Sequence, residues 1–134
     1  MILTAYTDGA SRGNPGQSGI GVVFFNNKEE IVAQLSEYIG EATNNVAEYT
    51  AVIRALEKGL ELGGVEISLF TDSELLAKQI NGEYAVRNEG LIPLYKQVIN
   101  LKGEFDKFKV THVPREKNKI ADGLANQAID NHKK

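Results

Sequence analysis

The hydrophobic period of the chain changes near residue 45, and this change limits the folds that the sequence can adopt. Before residue 39, apolar and β-branched residues alternate with polar ones or form short runs at residues 2–7, 19–25 and 31–38, which is typical of strands. From Asn45 onward, apolar residues recur at the spacing of one helical face, at Tyr49, Val52, Ile53, Leu56 and Leu60. Three antiparallel strands followed by a helix are therefore predicted.

The second half of the sequence predicts further strands that alternate with helices. Residues 65–70 form an apolar run of strand length, and residues 105–113 alternate as a second strand. Helical spacing precedes or follows each of them, at residues 73–80, 91–101 and 118–129. Strands joined by helical crossovers run parallel. We therefore predict an α/β fold, a five-stranded mixed sheet of three antiparallel and then parallel strands, flanked by helices.

Between the first two strands, residues 8–16 consist mostly of turn-forming residues. Glycine, serine, asparagine and proline favour turns for different conformational reasons. The segment predicts a broad loop that begins where the first strand ends, at Asp8.

Length and composition set the class of protein. A chain of 134 residues without repeats or linkers predicts one domain over residues 1–134. No apolar run is long enough to cross a membrane and no signal peptide is recognisable, so we expect a cytoplasmic protein, monomeric and without a membrane partner. Because the sequence has no cysteine, a metal would have to be held by oxygen or histidine.

The net charge of −3 argues mildly against bulk electrostatic binding of nucleic acid. Its distribution is uneven, with 7 basic and 13 acidic residues before Lys102 but 8 basic and 5 acidic residues from Lys102 onward. A basic surface, where one exists, is expected in the C-terminal part.

Four carboxylates stand at the predicted ends of strands or near the starts of helices: Asp8, Glu48, Asp72 and Asp122. Each has an ordinary structural interpretation. Asp8 fits a turn, Asp72 could cap the helix after it, Glu48 has capping-box spacing from Asn45, and Asp122 favours the positive end of a helix. Taken together, four acids that an open sheet could gather would repel one another unless cations bind, and carboxylates suit Mg²⁺ or Mn²⁺.

The motifs around these acids resemble those of ribonuclease H of type 1, the enzymes that cut RNA paired with DNA. The resemblance covers nearly the whole chain and lies in four ordered motifs: Thr7-Asp8-Gly9 with Gly13-Asn14-Pro15-Gly16, Thr43-Asn44-Asn45 with Ala47-Glu48, Thr71-Asp72-Ser73, and Ala121-Asp122 with Leu124-Ala125. It implies the ribonuclease H-like fold and hydrolysis of the RNA strand of RNA–DNA hybrids by two-metal-ion catalysis, leaving 5′-phosphate and 3′-hydroxyl ends.

The resemblance also implies roles for individual residues. Asp8, Glu48, Asp72 and Asp122 would hold two Mg²⁺ ions, with Mn²⁺ as an alternative, and Asp8 and Asp72 would touch both. His112 stands where the family keeps a mobile histidine that assists proton transfer or product release; otherwise it is a solvent-facing strand end. The positions that match substrate contacts of the family are Gly9, Ser11, Asn14, Thr43, Asn44, Asn45 and Asn88, although turn and cap chemistry also explains the asparagines.

Two departures from the family pattern bear on substrate choice. Glu41 stands where many relatives carry arginine two residues before the threonine, and residues 81–91 lack the lysine- and tryptophan-rich protrusion of some members. We expect weak, salt-sensitive binding and a relaxed choice between hybrid and double-stranded RNA.

Three other interpretations remain open from the sequence. The chain could be a resolvase-like or transposase-like nuclease of the same fold, a catalytically weak or inactive nucleic-acid-binding module, or a structural domain that binds calcium or magnesium. The Gly-Asn-Pro-Gly loop, the presence of all four acids and the substrate-like asparagines argue against these in turn.

Overall fold

The computed structural model describes residues 1–132 as one five-stranded sheet with helices on both faces. The strands are β1 (Ile2–Arg12), β2 (Gly16–Phe25), β3 (Ile31–Ala42), β4 (Glu66–Thr71) and β5 (Lys107–His112). The helices are α1 (Asn44–Glu61), α2 (Glu74–Ile80), α3 (Ile92–Lys102) and α4 (Lys119–His132), with a 3₁₀ turn at Arg115–Lys117. No helix in this part of the chain is both long and apolar enough to span a membrane.

The order of the strands across the sheet is β3-β2-β1-β4-β5. β1 pairs antiparallel with β2, and β2 pairs antiparallel with β3. β4 runs parallel to both β1 and β5. The predicted α/β class, with three antiparallel strands followed by parallel ones, is therefore confirmed.

The first two strands form an antiparallel hairpin, but the predicted broad loop at residues 8–16 was wrong, because the loop comprises only residues 13–15. β1 continues through Arg12 and pairs with β2 as far as Gln17, so Asp8 lies within β1 and does not end it. The reason is tertiary packing: a Cβ added at Gly9 would lie 2.3 Å from the backbone carbon of Ala47. Helix α1 approaches β1 at a point where only glycine fits, and this close approach overrides the local turn preference.

The two faces of the sheet are covered by different helices. On one face, Leu3, Ala5 and Leu69 of the strands are buried with Val52 and Leu56 of α1. The other face of β2 is covered by α4, whose Ala121, Ala125 and Ile129 are buried. As a result, the start of α1 and the start of α4 lie on opposite faces of the sheet and flank the same end of its central strands.

Replacing Gly21 in β2 with alanine is expected to destabilise the fold strongly. A Cβ at Gly21 would lie 2.1 Å from the carbonyl oxygen of Ala121 in α4, and neither backbone can yield without separating helix and sheet. We expect a loss of about 3 kcal/mol or more in unfolding free energy, at the upper end of overpacking costs. Urea titration followed by circular dichroism measures it.

The matched control is Gly123→Ala within α4, where an added Cβ meets nothing within 4 Å. Alanine is preferred over glycine in a helix by about 0.8–1.0 kcal/mol, so this variant should be at least as stable as the wild type. Equal stability of the two variants would contradict the packing of α4 on β2.

Candidate active site

Three carboxylates meet at one end of the β1–β4 ladder, in the middle of the sheet. Asp8, Glu48 and Asp72 each offer an oxygen atom, and these atoms all lie within 4.8 Å of one another. Asp122 lines the same open cavity of about 450 Å³. The structure therefore brings together all four acids that the sequence singled out. The cavity is lined by Asp8, Gly9, Ala10, Ser11, Arg12, Asn44, Glu48, Asp72, Arg115, Asp122 and Asn126.

Strand register explains why Asp8 and Asp72 are neighbours. β1 and β4 are parallel and Thr7 is paired with Thr71, so the residue after each threonine leaves the ladder at the same level. Asp72 does not cap the following helix, because Ser73 is the N-cap and its hydroxyl accepts from the backbone N–H of Leu76. That alternative interpretation of Asp72 is excluded.

Glu48 reaches the cluster from the opposite element, α1. Thr43 is the N-cap of this helix, and its hydroxyl accepts from Val46 N–H. Glu48 is thereby free of the capping box suggested by Asn45. Its Oε1 instead accepts from the backbone N–H of Gly9 at 2.7 Å, which is possible because α1 lies so close to β1 at that glycine.

Burial and mutual repulsion make the cluster a poor site for free negative charge. Burial raises the pKa of the Asp8 carboxyl, and the charges of Glu48 and Asp72 raise it further. Burial also raises the pKa of Glu48, with the charge of Asp72 adding to it, and the Gly9 N–H only partly opposes this. Such a group of oxygen ligands fits a hard divalent cation, which would remove both costs.

Asn118 is a site residue that no local pattern in the sequence marks. Its side chain is buried in the fold at 1% exposure. Nδ2 donates to the Thr7 carbonyl at 2.9 Å and to Asp72 Oδ2 at 3.2 Å. Asn118 therefore orients Asp72 against the end of the β1–β4 pair. Because Thr7 and Asp72 are both far from Asn118 in sequence, these contacts are seen only in the tertiary structure.

Two arginines also line the cavity, and neither was predicted as a site residue. Arg115 is 81% exposed at its side chain, and its Nη2 lies 3.9 Å from Asp122 Oδ1. Arg12 lies on the hairpin, between the cavity and α4. The regional excess of basic residues was the only sequence signal for Arg115, and Arg12 lies outside that region.

Several of the predicted substrate contacts form one cluster at the end of the β1–β2 hairpin. Asn44 Oδ1 accepts from Ser11 N–H at 3.1 Å, and Asn14 Oδ1 accepts from Asn44 N–H at 2.9 Å. Gly9, Ser11 and Asn44 line the cavity. Thr43 serves as the α1 cap, and Asn45 follows it as an exposed residue.

His112 and Asn88 do not line the cavity. His112 ends β5 as an exposed residue, paired in register with Thr71. Asn88 is exposed between α2 and α3, where its Oδ1 accepts from Gly90 N–H at 2.8 Å. Their predicted roles remain predictions.

Comparison with known proteins agrees with this geometry. A family model described as reverse transcriptase-like matches residues 6–128. The chain is 34% identical over 147 residues to a protein of Chlorobium phaeobacteroides named ribonuclease H, covering 98% of this chain and 97% of that protein. It belongs to the ribonuclease H family.

Other proteins have a higher sequence identity to this chain, and some of them are longer than it is. A ribonuclease HI of Halobacterium salinarum is 44% identical over 126 residues, and the match covers 94% of this chain. This chain spans 63% of that relative's length and 36% of a matching mycobacterial protein. The crystal structure of LC11-RNase H1 in complex with an RNA/DNA hybrid superposes with a TM-score of 0.93 at 43% identity, covering 98% of this chain and 99% of that one.

Proposed function

We propose that this chain is an endoribonuclease that hydrolyses the RNA strand of RNA–DNA hybrids, leaving 5′-phosphate and 3′-hydroxyl ends. The observation that carries the proposal is the convergence of Asp8, Glu48 and Asp72 within 4.8 Å in a cavity that Asp122 also lines. Membership of the ribonuclease H family and the hybrid bound by LC11-RNase H1 support it.

The four acids are proposed to hold two Mg²⁺ ions, or Mn²⁺ in their place. Bound there, the ions would supply charge stabilisation and an activated water for phosphodiester hydrolysis. The protein's own contribution is to prepare the ligands. Asn118 orients Asp72, and the Gly9 N–H fixes Glu48, so that the carboxylates are already in position when a substrate enters.

The hairpin cluster is proposed to contact the substrate strands. Recognition of RNA requires contacts to the 2′-hydroxyl group. Backbone groups of the hairpin at Gly9 and Ser11, together with the Asn44 amide, line the cavity where such contacts would form. Asn14 is linked to Asn44 through a hydrogen bond and would support the same surface. Thr43, Asn45 and Asn88 are proposed to lie along the DNA strand of the hybrid.

The range of substrates is proposed to depend on basic residues that many relatives have and this chain lacks, near Glu41 and in residues 81–91. Glu41 is exposed on β3 and pairs in register with Gln17, so it places a negative charge where a phosphate-binding arginine stands in many relatives. Arg87 is the one basic residue in the segment 81–91. Fewer basic contacts predict weaker binding than in relatives that carry a basic protrusion, and they leave double-stranded RNA as a second substrate.

The variant His112→Ala is expected to slow turnover by no more than about a hundredfold, the lower range for a general acid or base. The histidine lies outside the acidic cavity and ends a neighbouring strand, so its removal leaves the four carboxylates in place. Steady-state cleavage rates at saturating hybrid measure the effect. A loss as large as that of an acidic ligand would show that His112 belongs to the metal-binding group.

A panel of four matched substrates tests the proposed function. RNA–DNA hybrid, double-stranded RNA, double-stranded DNA and single-stranded RNA are incubated with Mg²⁺, with Mn²⁺ and with chelator. We expect metal-dependent cutting of RNA in the hybrid, and cutting of double-stranded RNA would agree with the role given to Glu41. A folded protein that binds hybrid but cuts nothing would support the alternative, an inactive binding module.

A further inference from the structure

Arg12 joins the β1–β2 hairpin to helix α4 through three acceptors. Its Nη1 lies 2.5 Å from Asp130 Oδ1. Its Nη2 donates to the Asn126 side-chain oxygen at 3.2 Å and approaches the Asn126 carbonyl at 3.4 Å. The two partners are four residues apart and therefore lie on one face of α4.

This contact determines which way the Asn126 carboxamide points. A guanidinium group only donates hydrogen bonds, so the amide atom that faces Arg12 must be the oxygen. The NH₂ group is then turned toward the start of α4. There, Nδ2 donates to the Asp122 carbonyl at 3.0 Å and to Asp122 Oδ1 at 3.4 Å.

Asp122 needs such support more than the other acids do. Asp8 and Asp72 directly follow the last residue pair of the β1–β4 ladder, whereas Asp122 lies in the first turn of a helix with its side chain 33% exposed. Its cationic neighbour, Arg115, is 81% exposed at its side chain, and Arg115 Nη2 lies 3.9 Å from Asp122 Oδ1. The Asn126 amide thus supplies a hydrogen bond to the Asp122 carboxylate from within the same helix.

We infer that Arg12 and Asn126 are positioning residues for Asp122: Arg12 fixes the Asn126 amide, and the amide holds the Asp122 carboxylate facing the cavity. The inference rests on the proposed function, in which Asp122 is a metal ligand. Partners that orient a metal ligand in this way commonly change metal affinity or activity by about 10–100-fold when they are removed.

An ion pair to α4 would not by itself require asparagine at position 126. The Arg12–Asp130 pair already connects the hairpin to the helix without Asn126. Exposed ion pairs also contribute little to stability, so a purely stabilising role would not explain the contacts of Arg12 with Asn126. Arg54 provides the matched comparison, because it pairs with Glu37 and Glu57 at a similar side-chain exposure, 38% against 35% for Arg12. Arg54 does not line the cavity of the four acids.

The experiment compares Arg12→Met, Asn126→Leu and the double variant with the control Arg54→Met. Calorimetric titration with Mn²⁺ measures metal affinity without any substrate, and thermal unfolding in chelator measures stability without metal. We expect each single variant at the site to bind Mn²⁺ about tenfold more weakly. Because both act through one amide, the double variant should lose no more than Asn126→Leu alone. Arg54→Met should bind Mn²⁺ as the wild type does.

Hybrid cleavage then separates positioning from contact with the nucleic acid. We expect a lower kcat at limiting Mn²⁺ that excess Mn²⁺ restores, with KM for the hybrid unchanged. Unchanged Mn²⁺ affinity in both single variants would overturn the inference, as would additive losses or a rise in KM alone. Should Arg12→Met fail to fold, Asn126→Leu carries the test, because it leaves the Arg12–Asp130 pair intact.

Measurements on the wild-type protein distinguish an error in the proposed function from an error in this inference. A wild-type protein that binds Mn²⁺ but cuts no hybrid would refute the endoribonuclease, while the Mn²⁺ titrations would still decide the role of Arg12 and Asn126. A wild-type protein that binds no Mn²⁺ would overturn both.

Discussion

The variant Asp72→Asn is expected to lose about a thousandfold or more in hybrid cleavage while remaining fully folded. Metal-ion catalysis supplies several kcal/mol of transition-state stabilisation, and about 4 kcal/mol corresponds to a thousandfold in rate. Asparagine keeps the shape of the side chain and still accepts from Asn118 Nδ2, which lies 3.2 Å from Asp72 Oδ2. The structural contact is kept and the charge is lost.

Removing this charge should also stabilise the metal-free protein. Asp72 raises the pKa of both Asp8 and Glu48 through its negative charge, and neutralising it relieves that repulsion. The measurements are single-turnover cleavage and thermal unfolding in chelator. The control is Asp106→Asn, an exposed aspartate immediately before β5 at the far end of the sheet, which should change neither quantity. Cleavage by Asp72→Asn at the wild-type rate would refute the assignment of the site.

In the absence of metal, stability is expected to fall as the pH rises above about 5. In the unfolded chain, aspartate and glutamate have released their protons by that pH, since their ordinary pKa values are about 4. In the folded chain, burial and the neighbouring acids raise the pKa of Asp8 and Glu48. The folded state therefore binds more protons over this window, and its stability decreases with pH.

The slope is about 1.4 kcal/mol per pH unit for each carboxyl that stays protonated only in the folded state. The stability from these groups is complete below the ordinary carboxyl pKa and is lost as the pH passes the raised folded values. Mg²⁺ or Mn²⁺ at a hundred times its dissociation constant should restore about 2.7 kcal/mol. Urea titrations between pH 5 and 9, with metal and with chelator, measure both effects. Stability that rises with pH in chelator would contradict the electrostatics of the cluster.

Much of the fold could be predicted because local pattern and tertiary structure agree along most of the chain. The helical stripe that begins at Tyr49 and the apolar run of β4 are read correctly, since burial follows the period of the side chains. The hairpin was predicted less well. Gly9, Ala10 and Ser11 stand in a segment rich in turn formers, yet they lie in β1 because all three pair with β2 and α1 packs closely against Gly9.

The acidic cluster and the cavity residues Gly9, Ser11 and Asn44 could be predicted, whereas the residues that orient the acids could not. The four acids were expected at positions that an open sheet could bring together, and Asp8 and Asp72 are neighbours because each follows the last residue pair of the β1–β4 ladder. Asn118, Arg12 and Asn126 act through contacts with residues distant in sequence or through the direction of one amide. Such contacts leave no periodic or compositional trace. The choice of substrate depends in the same way on where Glu41 and the hairpin asparagines stand relative to bound strands.

Strand-resolved cleavage of a single RNA–DNA hybrid is the decisive test of the proposed endoribonuclease activity. The hybrid is labelled on the RNA in one reaction and on the DNA in a parallel one, each with Mg²⁺ or with chelator, and the ends of the products are identified. We expect metal-dependent cuts within the RNA alone, with 5′-phosphate and 3′-hydroxyl ends. Cutting of the DNA strand, cutting in chelator, or no cutting by a folded sample would contradict it.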